Sequence, residues 1–203
     1  MTENTFITHA NVPRQLPAGP DGKVRLDLAC GDNKAAGHLG IDKYKMASTD
    51  YEFDLLEFPW PLDDASVDSL HCSHFFEHIP GLQRPAFMDE CWRVLKPNGQ
   101  LSVITPHWTS QRSVQDFTHA WPPVAEASFL YFNRQWRESN RLTHGLYDIK
   151  CDFGFTYGYS IDGEVSTRNN EYQAFAVKHY NNAAMDLMVT LTKIQPTGED
   201  SAK

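Results

Sequence analysis

Long apolar runs are missing from this sequence, so no segment is expected to span a membrane. The first residues also lack a basic stretch followed by an apolar one, and no secretion signal is expected. Cysteine is sparse. Cys30, Cys72, Cys91 and Cys151 are scattered and form no CxxC pair, which suits free thiols in a reducing cytoplasm. Positive charge is in deficit: 18 Lys and Arg face 26 Asp and Glu, a formal net charge of -8. That balance disfavours generic binding to a nucleic-acid backbone. A local basic groove from Arg134, Arg137, Arg141 and Lys150 stays open as an exception. There is no G-x-G-x-x-G, so the pyrophosphate of a dinucleotide has no cradle.

What is present is enough for one domain with a sizeable core: 203 residues, 41% hydrophobic and 12% aromatic. Residues 1–23 hold Pro13, Pro17, Pro20, Gly19 and Gly22 without periodicity and read as a flexible arm. Residues 24–194 read as the domain and 195–203 as a polar tail. Val24 to Leu28 suits a buried strand. It runs into Ala29-Cys30-Gly31, a small-residue turn that lets a ligand approach the backbone. Asp27 inside that strand needs hydrogen-bond donors to offset its burial. His38 to Asp42 reads as a second short strand ending in an acid. A carboxylate there can accept both hydroxyls of a ribose. The link from Gly31 to Asp42 is barely long enough for a crossover helix, so a loop is expected.

A third strand is expected over Tyr51 to Leu55 and a fourth over Val67 to Ser73. Phe75 to Ile79 reads as a helical turn, interrupted by Pro80-Gly81. Phe87, Met88, Cys91, Trp92 and Leu95 give an apolar stripe at helical spacing, which Lys96-Pro97-Asn98-Gly99 stops. Leu101 to Thr105 is the fifth strand. Beyond Pro106 come Trp108, Phe117, Trp121, Phe129, Tyr131, Phe132 and Trp136, an aromatic-dense stretch. A helix is expected over 125–140, a strand or hairpin over 149–161, a helix over 168–182 and a last strand over 186–194.

Residues 24–34, 51–55, 67–78 and 87–106, in that order, resemble the class I S-adenosylmethionine-dependent methyltransferases. The likeness is to the small type-11 group with a DLxCGxxK first motif. It implies an α/β fold: a Rossmann-like, doubly wound, mostly parallel seven-stranded sheet with an antiparallel last strand. It implies S-adenosylmethionine as cofactor and methyl transfer as activity. It places Asp27, Ala29, Cys30, Gly31, Asp42, Lys43, Asp54, Leu55, Ser73 and His74 around the cofactor, with Asp54 towards the adenine amino group. Residues 24–106 would be the cofactor half, and 107–185 the acceptor-pocket insert and C-terminal elements. Two departures stand out. Ala29 replaces the family's glycine, which is comfortable only at negative φ. Asp116-Phe117-Thr118-His119 stands where D-P-T-H is common.

A sulfonium methyl is already activated, so the protein mainly aligns donor and nucleophile and removes a proton where needed. His107 and His119 are the candidate bases, with Asp116 close enough in sequence to orient His119. In the competing view both histidines merely line the pocket. The Trp108-to-Trp136 aromatics are expected to hold a small-molecule acceptor. No metal site is expected: His71, His74 and His78 lie on different element types, and such sets rarely converge. Glu77-His78 does resemble the E-H pair at which some family members hold magnesium. A second class of function stays open, a cofactor-binding protein of this fold that acts on or regulates a macromolecular partner. A DNA amino-methyltransferase is disfavoured, because Ser73-His74-Phe75-Phe76 occupies the place of its D/N-P-P-Y/F tetrad.

Overall fold

In the computed structural model, which describes residues 12–13 and 15–195, one seven-stranded sheet runs in the order β3-β2-β1-β4-β5-β7-β6. The strands are β1 Arg25–Leu28, β2 Leu39–Asp42, β3 Tyr51–Glu52, β4 Val67–Ser73, β5 Leu95–Pro106, β6 Phe153–Ile161 and β7 Ala184–Lys193. The helices are α1 Arg84–Val94, α2 Arg112–Gln115, α3 Arg134–Ser139, α4 Gly163–Ser166 and α5 Asn170–His179. Three short 3-10 helices cover Phe76–His78, Glu126–Phe132 and Gly145–Tyr147.

β1 to β5 pair in parallel, while β7 lies antiparallel between β5 and β6. Leu26, Leu28, Ile41, Val67 and Leu70 are buried there, which is why these short apolar runs form central strands. The strand order reverses between β1 and β4, and in open α/β sheets ligands bind outside the carboxyl ends at that point. Between Gly31 and His38 there is no helix, as expected from the short link. Phe76 joins the sheet layer to the segment beyond Pro106: its ring stacks on Phe129 at 5.6 Å and lies 6.2 Å from Phe87. All three are fully buried, and burying such a side chain contributes about 1.5–3 kcal/mol.

Several boundaries differ from the sequence reading, each for a local reason. The third strand stops at Glu52 because Asp54 Oδ1 accepts the Leu56 N–H at 2.8 Å and turns the chain. The fifth strand begins earlier, at Leu95, where it pairs with Val67. The helix expected over 125–140 is broken at Asn133, whose backbone is extended. Its Oδ1 caps the Trp136 N–H at 2.9 Å while Nδ2 reaches Phe153 O at 3.0 Å, a role asparagine fills better than a helix interior. Residues 149–152 are not strand: the N–H groups of Lys150 and Cys151 donate to Asp89 Oδ1 instead of a neighbouring strand.

Of the expected N-terminal arm, Val12 and Leu16 pack against the core. Residues 1–11 and 14, and nearly all of the expected tail (196–203), lie outside the described residues. Among the described residues no helix is long and apolar enough to cross a membrane. All four cysteines are buried free thiols.

Candidate functional site

The parallel strands bring the tips of β1, β2 and β3 to one rim. Asp27 is buried, and its Oδ2 accepts the Ala35 N–H at 2.7 Å, which meets the need of a carboxylate inside a strand. Ala29 follows with φ 55°, so its methyl does sit in the left-handed region. Gly31 has φ 50°, and a Cβ added there would enter open space. Gly40 has no such freedom: an added Cβ would stand 2.5 Å from Ser48 O and 2.7 Å from Cys30 Sγ. Asp42 closes the turn from the other side. Its Oδ2 accepts the Gly31 N–H at 3.0 Å and its Oδ1 the Tyr44 N–H at 2.9 Å. Ser48 Oγ donates to Gly31 O, and Asp50 Oδ2 accepts from Gly40 N and Lys34 Nζ, both at 2.7 Å. Lys43 is exposed, with its ammonium 5.1 Å from the Tyr44 ring centre. Asp54 is half-buried beside the buried Leu55, against whose carbonyl the Trp60 indole N–H is held at 3.1 Å. A small-residue turn with two carboxylates beyond it, and no helix N-terminus, fits a nucleoside that carries no phosphate.

Ser73 ends β4, and His74 turns the chain with φ 53°. His74 Nδ1 lies 3.2 Å from Glu77 Oε1, and this hydrogen bond raises the histidine's pKa above its ordinary value. The other oxygen, Glu77 Oε2, is buried without a hydrogen-bond partner among the described residues. One donor atom from each of Glu77, His78 and His119 lies within 4.8 Å of the others. Of His71, His74 and His78, only His78 belongs to this group; His71 sits by His38, with ring centres 6.0 Å apart. The converging histidine is His119, which spacing along the chain could not reveal. Asp116 is exposed and bonds Thr118, through the backbone N–H at 2.8 Å and the hydroxyl at 2.7 Å. Those bonds hold its carboxyl below the usual range. It does not hydrogen-bond His119, whose Nδ1 faces Ser113 O at 3.2 Å.

His107 follows β5 and is 2% exposed, with both ring nitrogens engaged. Nδ1 is 2.7 Å from Thr109 Oγ1 and also accepts the Thr109 N–H at 3.4 Å, which leaves Nε2–H to donate to Glu126 Oε1 at 3.1 Å. Tyr159 donates its hydroxyl to the same oxygen. The His107 bond first, and the Tyr159 bond after it, hold Glu126 at about 2 despite its partial burial. Glu126 and Tyr159 were not singled out from sequence; they lie far along the chain from His107 and carry no motif.

The aromatic stretch does not build a single pocket. Trp108 lines a cavity of about 630 Å³ with His107, Glu126, Tyr157, Tyr159 and Lys178. Trp121, Tyr131 and Phe132 line another, of about 840 Å³, beside Phe76 and the start of α1. Arg137 does not contribute to a basic groove: it is buried, and its guanidinium donates to the carbonyls of Tyr131, Ile149 and Cys151.

This sheet order, its antiparallel seventh strand and the acid-tipped second strand define the fold of the class I S-adenosylmethionine-dependent methyltransferases. Residues 42–103 match the family model described as a methyltransferase domain, of the type-11 group. A search of curated proteins finds no match. Among solved structures the chain is similar to a SAM-dependent methyltransferase from Archaeoglobus fulgidus: TM-score 0.60, 18% identity, 85% of this chain and 87% of that one covered. It is also similar to geranyl diphosphate C-methyltransferase from Streptomyces coelicolor A3(2), solved with Mg2+, geranyl diphosphate and S-adenosyl-L-homocysteine. There the TM-score is 0.50 and identity 14%, with 89% and 75% of the chains covered.

Proposed function

We propose that the protein transfers a methyl group from S-adenosylmethionine to a small-molecule acceptor. The observation that carries this is the contact between Gly31 and Asp42 at the reversal point of the sheet: a small-residue turn and an acid 3.0 Å apart, with open space before the glycine. Asp42 would take the ribose hydroxyls, Asp54 and the Leu55 N–H the adenine. Asp27, Ala29, Cys30, Lys43, Ser73 and His74 would complete the rim. When bound, the cofactor supplies an activated methyl on a sulfonium.

The chain's own part is to hold the acceptor in line, exclude water and move a proton. His107, with both nitrogens engaged, orients the wall of the cavity it shares with Glu126 and Tyr159. That cavity is concave and mostly apolar with a few converging polar groups, which supports a small acceptor. Among the described residues His119 is hydrogen-bonded through Nδ1 alone, so an acceptor's proton would leave on its side of the rim, where Asp116 acts through Thr118 and His78. A second reading, action on a macromolecular partner, is favoured by the exposed Phe117 and Trp121.

Calorimetric titration with S-adenosylmethionine, S-adenosylhomocysteine and NAD tests the cofactor reading. The first two should bind and raise the melting temperature, and NAD should not. Turnover on small hydroxyl, amine and carbon acids, followed by S-adenosylhomocysteine release, tests the acceptor. Binding of NAD alone would overturn the first part, and turnover confined to protein or nucleic-acid acceptors the second.

A further inference from the structure

We infer that the cavity beside His107 takes a small organic amine in its ammonium form, with Glu126 as counter-ion and Trp108, Tyr157 and Tyr159 as aromatic walls. The inference rests on the methyl-transfer reading for one point, that the amine belongs to the methyl acceptor. Three observations converge on it.

The first is placement. β5 and β6 both run antiparallel to β7, and Leu187 of β7 pairs with Thr105 on one side and Tyr159 on the other. Tyr159 is therefore level with the carboxyl end of β5, from which His107 follows. Ile104 O accepts the His74 N–H at 2.8 Å, so this end of β5 is also level with the turn after β4. The cavity of about 630 Å³ thus lies beside the rim where ligands of such sheets bind.

The second is the carboxylate. Glu126 Oε1 is occupied: it accepts the His107 Nε2–H at 3.1 Å and the Tyr159 hydroxyl. Oε2 takes no hydrogen bond from another described residue. His107 brings no charge, because its Nδ1 accepts the Thr109 N–H at 3.4 Å. Lys178 lines the cavity but is exposed and forms no ion pair with Glu126 among the described residues. The His107 bond first, and the Tyr159 bond after it, hold Glu126 at about 2, so it is ionised at neutral pH. The cavity keeps a negative charge with no cation in contact.

The third is the walls. Tyr157 and Tyr159 share one face of β6, with ring centres 5.8 Å apart. The His107 ring lies 5.5 Å from Tyr159 and 5.9 Å from Trp108. Trp108 and Tyr157 are 54% and 53% exposed, so bare aromatic surface borders the carboxylate. An ammonium there is held by a charge-assisted hydrogen bond and by the ring quadrupoles together. A neutral hydroxyl gains only the hydrogen bond, and an anion is repelled. Burial first, and the Glu126 bond after it, push the Tyr159 pKa up, so that hydroxyl keeps its proton.

An alkylammonium of pKa about 10 gives up no proton to a carboxylate held at about 2. The nitrogen seated on Glu126 therefore keeps its charge and offers no lone pair to a methyl. It anchors the acceptor, and another atom of the same molecule is the nucleophile.

The test uses the full chain, with and without S-adenosylhomocysteine, and three probes of one shape: 2-phenylethylamine, 2-phenylethanol and phenylacetate. Calorimetry at neutral pH should show the amine bound roughly tenfold more tightly than the alcohol, as a charged partner requires, with phenylacetate weakest. In Glu126→Gln the preference for amine over alcohol should vanish while the alcohol still binds. Trp108→Leu, at a half-exposed position, should cut that preference about two- to fivefold. An amine bound no better than the alcohol, a preference for phenylacetate, an amine preference that survives Glu126→Gln, or one unmoved in Trp108→Leu would each overturn the inference. Mass spectrometry of any methylated amine product should place the methyl away from the anchoring nitrogen, and N-methylation of 2-phenylethylamine would overturn the anchoring role. Failure of S-adenosylhomocysteine to bind, with the amine preference intact, would instead strike the methyl-transfer reading.

Discussion

Gly31 donates its backbone N–H to Asp42 Oδ2 at 3.0 Å, so the turn after β1 and the tip of β2 act as one unit. Asp42→Ala removes the proposed ribose acceptor and also leaves the Gly31 and Tyr44 N–H groups without their partner. The affinity for S-adenosylhomocysteine should fall by about 1–3 kcal/mol, roughly 5- to 150-fold. Calorimetry on the folded variant, with its own melting temperature as control, reads this. Unchanged affinity would remove Asp42 from the site.

The first strands of the sheet were legible from sequence because their signals are local. β1 and β2 are short apolar runs ending in small or acidic residues, and the Gly31–Asp42 link, barely long enough for a crossover helix, pointed to a loop. The far half was less legible because its organisation is set by side chains meeting across long separations. Asn133 breaks a helix by reaching Phe153, and Asp89 withholds residues 150 and 151 from a strand. At the site the same division holds. The Asp42 tip could be read from its position. The partners of His107, and the meeting of His119 with Glu77, exist only once the chain is folded.

Gly40 is fixed by close approach rather than by backbone angle. An added methyl would stand 2.5 Å from Ser48 O, 2.7 Å from Cys30 Sγ and 2.9 Å from Lys34 Cδ. The lysine can move aside, but the carbonyl and the buried thiol cannot without shifting the turn. Gly40→Ala should therefore cost about 1–3 kcal/mol in urea unfolding and weaken cofactor binding as well. A variant as stable as the parent would show that the loop from Lys43 to Asp50 yields freely.

Glu126 should set part of the acid sensitivity. Its pKa is about 2 in the folded protein against 4.5 for an unperturbed glutamate. A lowered folded value means stability that is complete above about 4.5 and lost as pH falls towards 2. The side chain is 24% exposed, so solvent screening reduces the effect to about 1–2 kcal/mol. Glu126→Gln should be less stable than the parent at pH 6, and the gap should close on acidification. Melting curves from pH 6 to pH 2 measure this, and a gap constant with pH would show that the His107 and Tyr159 bonds contribute nothing ionic.

Arg84 ties the turn after β4 to the loop that follows His119. It is 6% exposed, meets no carboxylate in a hydrogen bond among the described residues, and donates to the carbonyls of Ile79, Ala120 and Pro122. Burial pushes its pKa down, so the fold spends desolvation energy to keep this charge as a clamp. Arg84→Met keeps much of the stem volume but leaves buried carbonyls unpaired, at about 1–3 kcal/mol for the group. The loss should be uneven. Hydrogen exchange should quicken between residues 116 and 122 and around Ile79, while β1, β2 and the Asp42 turn keep their protection. Arg84→Lys should recover only part, because one ammonium cannot span three carbonyls as a planar fork does. Uniform loosening of the whole sheet in Arg84→Met, or full recovery in Arg84→Lys, would mean that Arg84 serves the core at large and does not hold His119 against Glu77.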